Sequence, residues 1–316
     1  MSNLPLVSII INNFNYDQFL EAAISSALGQ SYTNIEVIVV DDGSTDRSKY
    51  IIDSYQKQII TVFQDNGGQA STFNTGFNAS KGEIICFLDS DDIFELNKID
   101  QIVKVFNSNP DIDWCFHAVK LESKQTGQQL GVSQETGSRK CDFRSAMLQG
   151  RLSFFAPPTS GLCFRRSLLE TILPMPEAFQ RGADRYLVAI APALSTGFYL
   201  EDKLTIQGIH QNNGNTLQEG EKFAKRRAYK ALAVAYFMKQ QLPEFFRMTD
   251  RIFARGLGLY WKTKYQGSRE QELITKYLAG TRPLAKVKIY LMAWYQGLKI
   301  SLSHRIKYLS SSCKPQ

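Results

Sequence analysis

Apolar positions in the first hundred residues come in short unbroken runs rather than in alternation. Leu6–Ile11 (LVSIII), Ile35–Val40 (IEVIVV), Ile59–Gln64 and Glu83–Leu88 are rich in β-branched residues. Such runs read as strands buried on both faces. Helical patterns separate them. Asp17 is placed to cap a helix running to about Gly29, with Phe19, Leu20, Ala23, Ile24, Ala27 and Leu28 on its apolar face. A second helix starts from a cap at Asp46 or Ser44 and runs to about Gln56; others cover Gln69–Ser80 and about Asn97–Asn107.

The β-α-β-α-β-α-β-α order predicts an α/β fold: a mostly parallel central sheet flanked by helices. In such sheets ligands bind beyond the carboxyl ends of the strands. The polar motifs fall there: NNFN after the first strand, DDGSTD after the second, NGG after the third and DSDD after the fourth. From about Asp113 the pattern loosens into short strands (Asp113–Leu121, Gly161–Phe164, Phe198–Leu200, Lys203–His210) and a helix over Arg185–Leu194. From Glu219 onward the chain reads as helical, broken at Pro243 and Pro283. This predicts a body over 1–218 and a helical C-terminal extension over 219–316.

Charge sharpens that division. The whole chain carries +7 over 316 residues. Met1–Glu221 holds 17 Lys+Arg against 26 Asp+Glu, whereas Lys222–Gln316 holds 20 against 4. An acidic body with a basic tail predicts an anionic partner for the tail. Five cysteines without CxxC spacing suggest neither a zinc cluster nor a disulfide framework, and fit a reducing cytoplasm. The N-terminus lacks the basic region and cleavage site of a signal peptide, and no apolar run reaches the ~18 residues of a membrane span. The expected location is cytoplasmic, with the inner membrane face as a site of peripheral attachment.

Candidate chemistry centres on FLDSDD, Phe87–Asp92. Clustered carboxylates repel one another, so a chain that gathers them at a strand end is suited to holding a cation. No GxGxxG follows the first strand and no GxxxxGK[ST] occurs, so dinucleotide-fingerprint and P-loop binding are excluded. A divalent ion bridging carboxylates and a diphosphate is the substitute. A nucleotidyltransferase would want a Gly-rich basic loop after the first strand, and NNFNY is not one.

Taken in order and spacing, LVSIIINNFNYDQFL, VIVVDDGSTD, NGGQASTFNTGF and GEIICFLDSDD resemble the family-2 glycosyltransferases of the GT-A fold. The resemblance is strong over Leu6–Ile99 and weak to about Gln218. It implies a metal-dependent, inverting transfer of a sugar from a nucleotide-diphosphate sugar to a glycan or lipid-linked acceptor. By the same resemblance Phe14 lies against the nucleotide base, Asp42 accepts the base N3–H, Asp89 faces the ribose or the metal, and Asp91 is the direct ligand of Mn2+ or Mg2+. Gly68 belongs to the donor loop, Asp184 in QRGADRYLV is the general base, and His210 joins the metal or diphosphate. Asp92 caps or braces the next segment. Two departures stand out: Thr72-Phe73-Asn74 where members often carry A-R-N, and Ala183 before Asp184 where Glu is common.

A competing reading is a non-catalytic nucleotide-sugar-binding or scaffold protein that uses the basic tail. The carboxylate rim argues against nucleic acid in the cleft, so none is expected as a partner. Within the tail, Val287, Leu291, Trp294, Leu298, Leu302, Ile306 and Leu309 recur at helical steps among basic residues. Two readings stand: an interfacial helix on an anionic membrane surface, or a helix docked by that stripe on the body.

Overall fold

The computed structural model describes residues 4–133, 137–151, 156–210, 220–263 and 267–311, with 299–311 described in their backbone alone. It contains two compact units, Met1–Arg144 with Ser153–Gly214, and Ser145–Leu152 with Asn215–Gln316.

The first unit opens with the alternation read from the sequence: β1 (Val7–Asn13), α1 (Asp17–Leu28), β2 (Ile35–Asp41), α2 (Ser48–Ser54), β3 (Ile60–Phe63), α3 (Gln69–Ala79) and β4 (Ile84–Asp89). Then come β5 (Asp92–Phe94), α4 (Lys98–Ser108), β6 (Trp114–His117), β7 (Lys120–Ser123), β8 (Gln129–Val132) and β9 (Arg139–Cys141). After α5 (Arg144–Leu148), nearly all of which belongs to the second unit, the first unit resumes with β10 (Leu162–Arg165), α6 (Arg166–Ile172), α7 (Asp184–Leu194), β11 (Gly197–Leu200) and β12 (Thr205–Ile209).

The main sheet runs β3-β2-β1-β4-β10-β6-β11-β9. Its first four strands are parallel, β10 is antiparallel to both neighbours, and β11 is parallel to β6. The unbroken apolar runs are explained by cover on both faces. Ile9, Ile11, Val37, Val39, Cys86 and Leu88 pack with Leu20 and Ile24 of α1 and Ile102 and Phe106 of α4. Ile10, Val40 and Phe87 face α3 instead: Phe73 stacks on Phe87 at 4.3 Å, and a Cβ on Gly76 would lie 2.4 Å from Ile10 Cγ2. β3 is the exception. Among the described residues it pairs only with β2, and as an edge strand it leaves Ile60 and Phe63 exposed.

Two expectations need correction. Asp113–Leu121 is not one strand: β6 joins the main sheet and β7 a second sheet, β5-β12-β7-β8. The turn between them, Ala118-Val119, is buried and apolar, so no polar break marks it. Asp17 does not cap α1. Tyr16 holds that position without a side-chain cap, and the Asp17 N–H donates instead to Asp46 Oδ2 at 2.9 Å. Asp46 also accepts the Ser48 N–H at 2.9 Å, so one carboxylate serves the starts of two helices. Burial alone would raise its pKa; the hydrogen bonds from Ser48 and Asp17 outweigh that and hold it below the usual carboxylate value.

The second unit is helical: α8 (Glu221–Gln241), α9 (Phe246–Lys262), α10 (Ser268–Ala279) and α11 (Pro283–Ser311). Pro243 begins a single 3-10 turn and Pro283 opens α11, where a missing N–H costs nothing. α9 ends at its cap Thr263, which turns to an extended conformation with no proline to announce it. Glycines let α9 approach its neighbours: a Cβ on Gly256 would lie 3.0 Å from Ala231 Cβ on α8, and one on Gly258 only 2.4 Å from Ala293 O on α11. No described helix is long and apolar enough to cross a membrane.

Candidate active site

The carboxyl ends of β1, β2 and β4 lie side by side, with Asn13 opposite Asp41 and Asn12 opposite Asp89. The first motif braces the acidic ones on either side. Asn13 Nδ2 donates to Asp41 Oδ2 at 2.8 Å, and the Asn12 side chain hydrogen-bonds Asp89. Asn15, in the left-handed region at φ 57°, accepts the Thr45 N–H at 2.7 Å, while its own N–H meets Ser44 Oγ at 2.9 Å. The NNFN and DDGSTD loops are thus pinned to each other. Phe14, between two pinned asparagines, is held with its ring exposed.

Asp42 is buried and clamps the NGG loop. Its Oδ1 accepts Gly67 N–H at 2.9 Å and Gln64 Nε2 at 2.7 Å, and its Oδ2 accepts Gly68 N–H at 2.8 Å. Gly68 adopts φ 85°, and a Cβ there would lie 2.5 Å from Gln180 Cα. Only glycine fits between Asp42 and the 180s loop.

The next residue completes the link. Gln69 Oε1 accepts the N–H groups of Gly182 and Ala183 at 2.8 and 3.0 Å. Its Nε2 donates to Asp89 Oδ1 at 3.3 Å and Thr159 Oγ1 at 3.2 Å. One amide therefore ties the first acid of the DxD motif to the start of α7. Asp184, the first residue of α7, is buried, with Arg185 Nε 3.5 Å from its Oδ2.

Asp89, Asp91 and Asp92 each offer an oxygen, all within 4.8 Å of one another. Their roles differ. Asp92 is fully engaged in bracing: Oδ2 accepts Ser160 Oγ–H at 2.6 Å and Oδ1 accepts Gly208 N–H at 3.1 Å. Burial, then the charges of Asp91 and Asp89, push its pKa well up. Burial followed by the Asp91 charge raises Asp89 to about 7, against the pull of hydrogen bonds from Asn12 and Thr159. Asp91 Oδ2 sits 3.0 Å from His210 Nε2. His210 is stacked on Phe19 at 4.8 Å and met edge-on by Tyr16 at 5.6 Å. Close approach of β12 makes this contact, since a Cβ on Gly208 would lie 2.4 Å from Asp91 O. Burial and then the Asp91 and Asp89 charges raise the Tyr16 phenol, so it remains a proton donor beside the acids.

This donor set fits a hard divalent cation. Two partly buried carboxylates and an imidazole converge, and their mutual repulsion is what a cation would relieve. The Asn12 Oδ1, buried at the same rim, has no protein partner.

The sequence profile of glycosyl transferase family 2 matches residues 8–173. The chain belongs to that family. A relative named an uncharacterized glycosyltransferase, alr2836 of Nostoc sp., is 35% identical over 214 residues, covering 66% of each chain. Another, from Haemophilus influenzae, is 41% identical over 155 residues, covering 47% of this chain and 59% of that one. A third, RP339 of Rickettsia prowazekii, is 42% identical over 143 residues, covering 41% and 45%. The match thus spans about two thirds or less of these relatives' lengths. The fold is similar to that of S. aureus TarS 1–349 in complex with UDP-GlcNAc, with TM-score 0.61, 18% identity, and cover of 95% of this chain and 92% of that one. The α/β, GT-A expectation therefore holds, with helices after the body.

Asp184 and His210 lie beyond the segment matched by the family profile. Sequence reading passed over three contributors. Gln69 follows NGG directly but carries no charge to attract notice. Ser160, 68 residues from Asp92, joins it only through the fold. Lys98 looks like a helix-start surface residue, yet it is fully buried, with Nζ donating to Ser160 O at 2.7 Å and Thr205 Oγ1 at 3.1 Å. Phe73, at the position where the resemblance suggests arginine, is buried against the sheet and brings no polar group to the rim.

Proposed function

We propose that this chain transfers a sugar from a nucleotide-diphosphate sugar to a hydroxyl of a glycan or lipid-linked acceptor, with inversion. The observation that carries the reading is the Gln69 bridge, which sets the DxD acid and the start of α7 on one rim. Asp42, Gly68 and Phe14 form the nucleotide end, where a UDP-sugar is the first donor to test, because TarS has been crystallised with UDP and UDP-GlcNAc. Asp91 and His210, with Asp89 beside them, would hold Mn2+ or Mg2+. Such an ion, when bound, supplies Lewis-acid neutralisation of the leaving diphosphate.

The remaining work falls to the chain itself. Asp184 takes the proton of the acceptor hydroxyl as that oxygen bonds to the anomeric carbon. The bond from that carbon to the diphosphate oxygen breaks, and its electron pair leaves with the nucleoside diphosphate. Attack from the face opposite the leaving group inverts the centre. The Gln69 contacts to Gly182 and Ala183 fix the α7 start, so the carboxylate needs little reorganisation.

A thermal-shift screen of nucleoside diphosphates with and without Mn2+ tests the reading. One nucleotide should stabilise the protein only with the ion, and Asp91→Ala should remove that effect. Asp184→Ala should keep the binding and lose transfer; retained turnover would refute its role as base.

A further inference from the structure

Helix α11 has two apolar faces, and only one has a protein partner among the described residues. Ile289 and Ala293 are fully buried, and Ala293 O packs against Gly258 of α9. At about 100° per residue, Leu284, Val287, Leu291, Trp294, Tyr295 and Leu298 fall on the opposite side. All are exposed, Leu284 by 87%, Leu291 by 63% and Trp294 by 62%. Of the stripe expected from the sequence, the described members Val287, Leu291, Trp294 and Leu298 are all exposed, whereas Ile289 and Ala293 are the buried ones. Leu302, Ile306 and Leu309 lie outside the residues whose side chains are described. The outward stripe extends about 20 Å along the helix. It has aromatic neighbours: Trp261 of α9, half exposed, stacks with Tyr290 at 6.0 Å.

An exposed stripe of this size calls for an occupant, and charge selects among the candidates. From Arg282 to Gln316 the chain holds seven basic residues and no acidic one. A second copy laid against this face would bring two such runs together without a single carboxylate to offset them. A nucleic acid would meet the charge but leave the Leu, Val and Trp stripe in water. An anionic bilayer meets both: acyl chains take the stripe, Trp and Tyr suit the headgroup level, and the basic residues meet the lipid charge. We propose that the outer face of α11 rests in the surface of an anionic lipid membrane. This rests on the helix alone and is independent of the transfer reading.

The test uses the full chain and extruded phosphatidylcholine vesicles with and without phosphatidylglycerol. Wild type should pellet with the anionic vesicles, with tryptophan emission shifted to the blue, and stay in the supernatant with the neutral ones. Leu291→Ser combined with Trp294→Ser changes two exposed positions, so melting temperature and far-UV circular dichroism should hold. Its partition into anionic vesicles should fall about tenfold or more. Equal recovery in the supernatant with both vesicle types overturns the proposal. So does undiminished binding by the double variant, which would mark adsorption by charge alone. A concentration-dependent dimer that the same substitutions dissolve would reassign the face to a second copy.

Discussion

Gln69 donates to Asp89 across 3.3 Å while its carbonyl oxygen holds the α7 start through Gly182 and Ala183. The two ends of the amide have different chemistry, and that makes the residue testable. Gln69→Leu removes both ends and leaves two N–H groups short of a partner, at about 1–3 kcal/mol each where no water replaces it. Melting temperature should fall. Gln69→Glu keeps the acceptor for Gly182 and Ala183 but sets a charge against Asp89. Its fold should survive, its turnover should drop by about tenfold or more, and its pH profile should move to higher pH. A profile that stays put in Gln69→Glu would show that the bridge only holds the loop.

The acid cluster would set the pH dependence of the proposed metal binding. Burial, then the Asp91 charge, raises Asp89 from the usual 3.8 to about 7. Its protonated form is therefore favoured in the folded state. This contribution to stability is therefore full below about pH 4 and is lost as the pH rises through about 7. A cation demands the deprotonated form, so its affinity should climb with pH below 7, by up to about tenfold per unit, and flatten above. The inflection belongs to the coupled acids together, not to Asp89 alone. Calorimetric Mn2+ titrations across pH 5.5–8 read the slope directly. In Asp89→Asn that slope should shrink; an unchanged slope would move the proton to another group.

Gly68 joins the NGG loop to the 180s loop, and a methyl group there would meet backbone. With φ at 85° and Gln180 Cα 2.5 Å from the built Cβ, Gly68→Ala is strained twice. Left-handed strain and the clash together should cost about 1–3 kcal/mol or more. Gly127→Ala is the matched control: φ is 66°, but nothing lies within 4 Å. Differential scanning calorimetry should rank Gly68→Ala well below Gly127→Ala. Comparable melting temperatures would mean that the 180s loop gives way, and would weaken the case for a rigid base.

How much of this was legible beforehand follows from where each signal lives. β1, β2 and β4 declare themselves because burial on both faces demands unbroken apolar runs, and the acids that end them mark the rim. Local rules reach that far. Lys98 and Ser160 gain meaning only when β10 and β12 close over the DxD turn, and their contacts span 45 to 107 positions in the chain. No periodicity encodes such partners. The Ala118-Val119 turn is hidden for the opposite reason, since a buried turn carries no polar punctuation. In α11 the stripe was visible but its direction was not, because period alone does not say which apolar face finds a partner.

His210 and Asp91 make the last case. The imidazole stands 3.0 Å from the carboxylate and is stacked on Phe19, so its position is set from two sides. A nitrogen donor beside carboxylates favours Mn2+ over Mg2+. His210→Asn should therefore lower Mn2+ affinity, by about 10–100-fold if the imidazole is itself a ligand or orients one, and change Mg2+ affinity less. Phe19→Leu keeps the imidazole but loosens its stacking, worth about 0.5–1.5 kcal/mol; it should give a smaller loss with the same metal ranking. Equal losses for both ions in His210→Asn would instead make the histidine a brace for Asp91, holding the carboxylate in place without touching the metal.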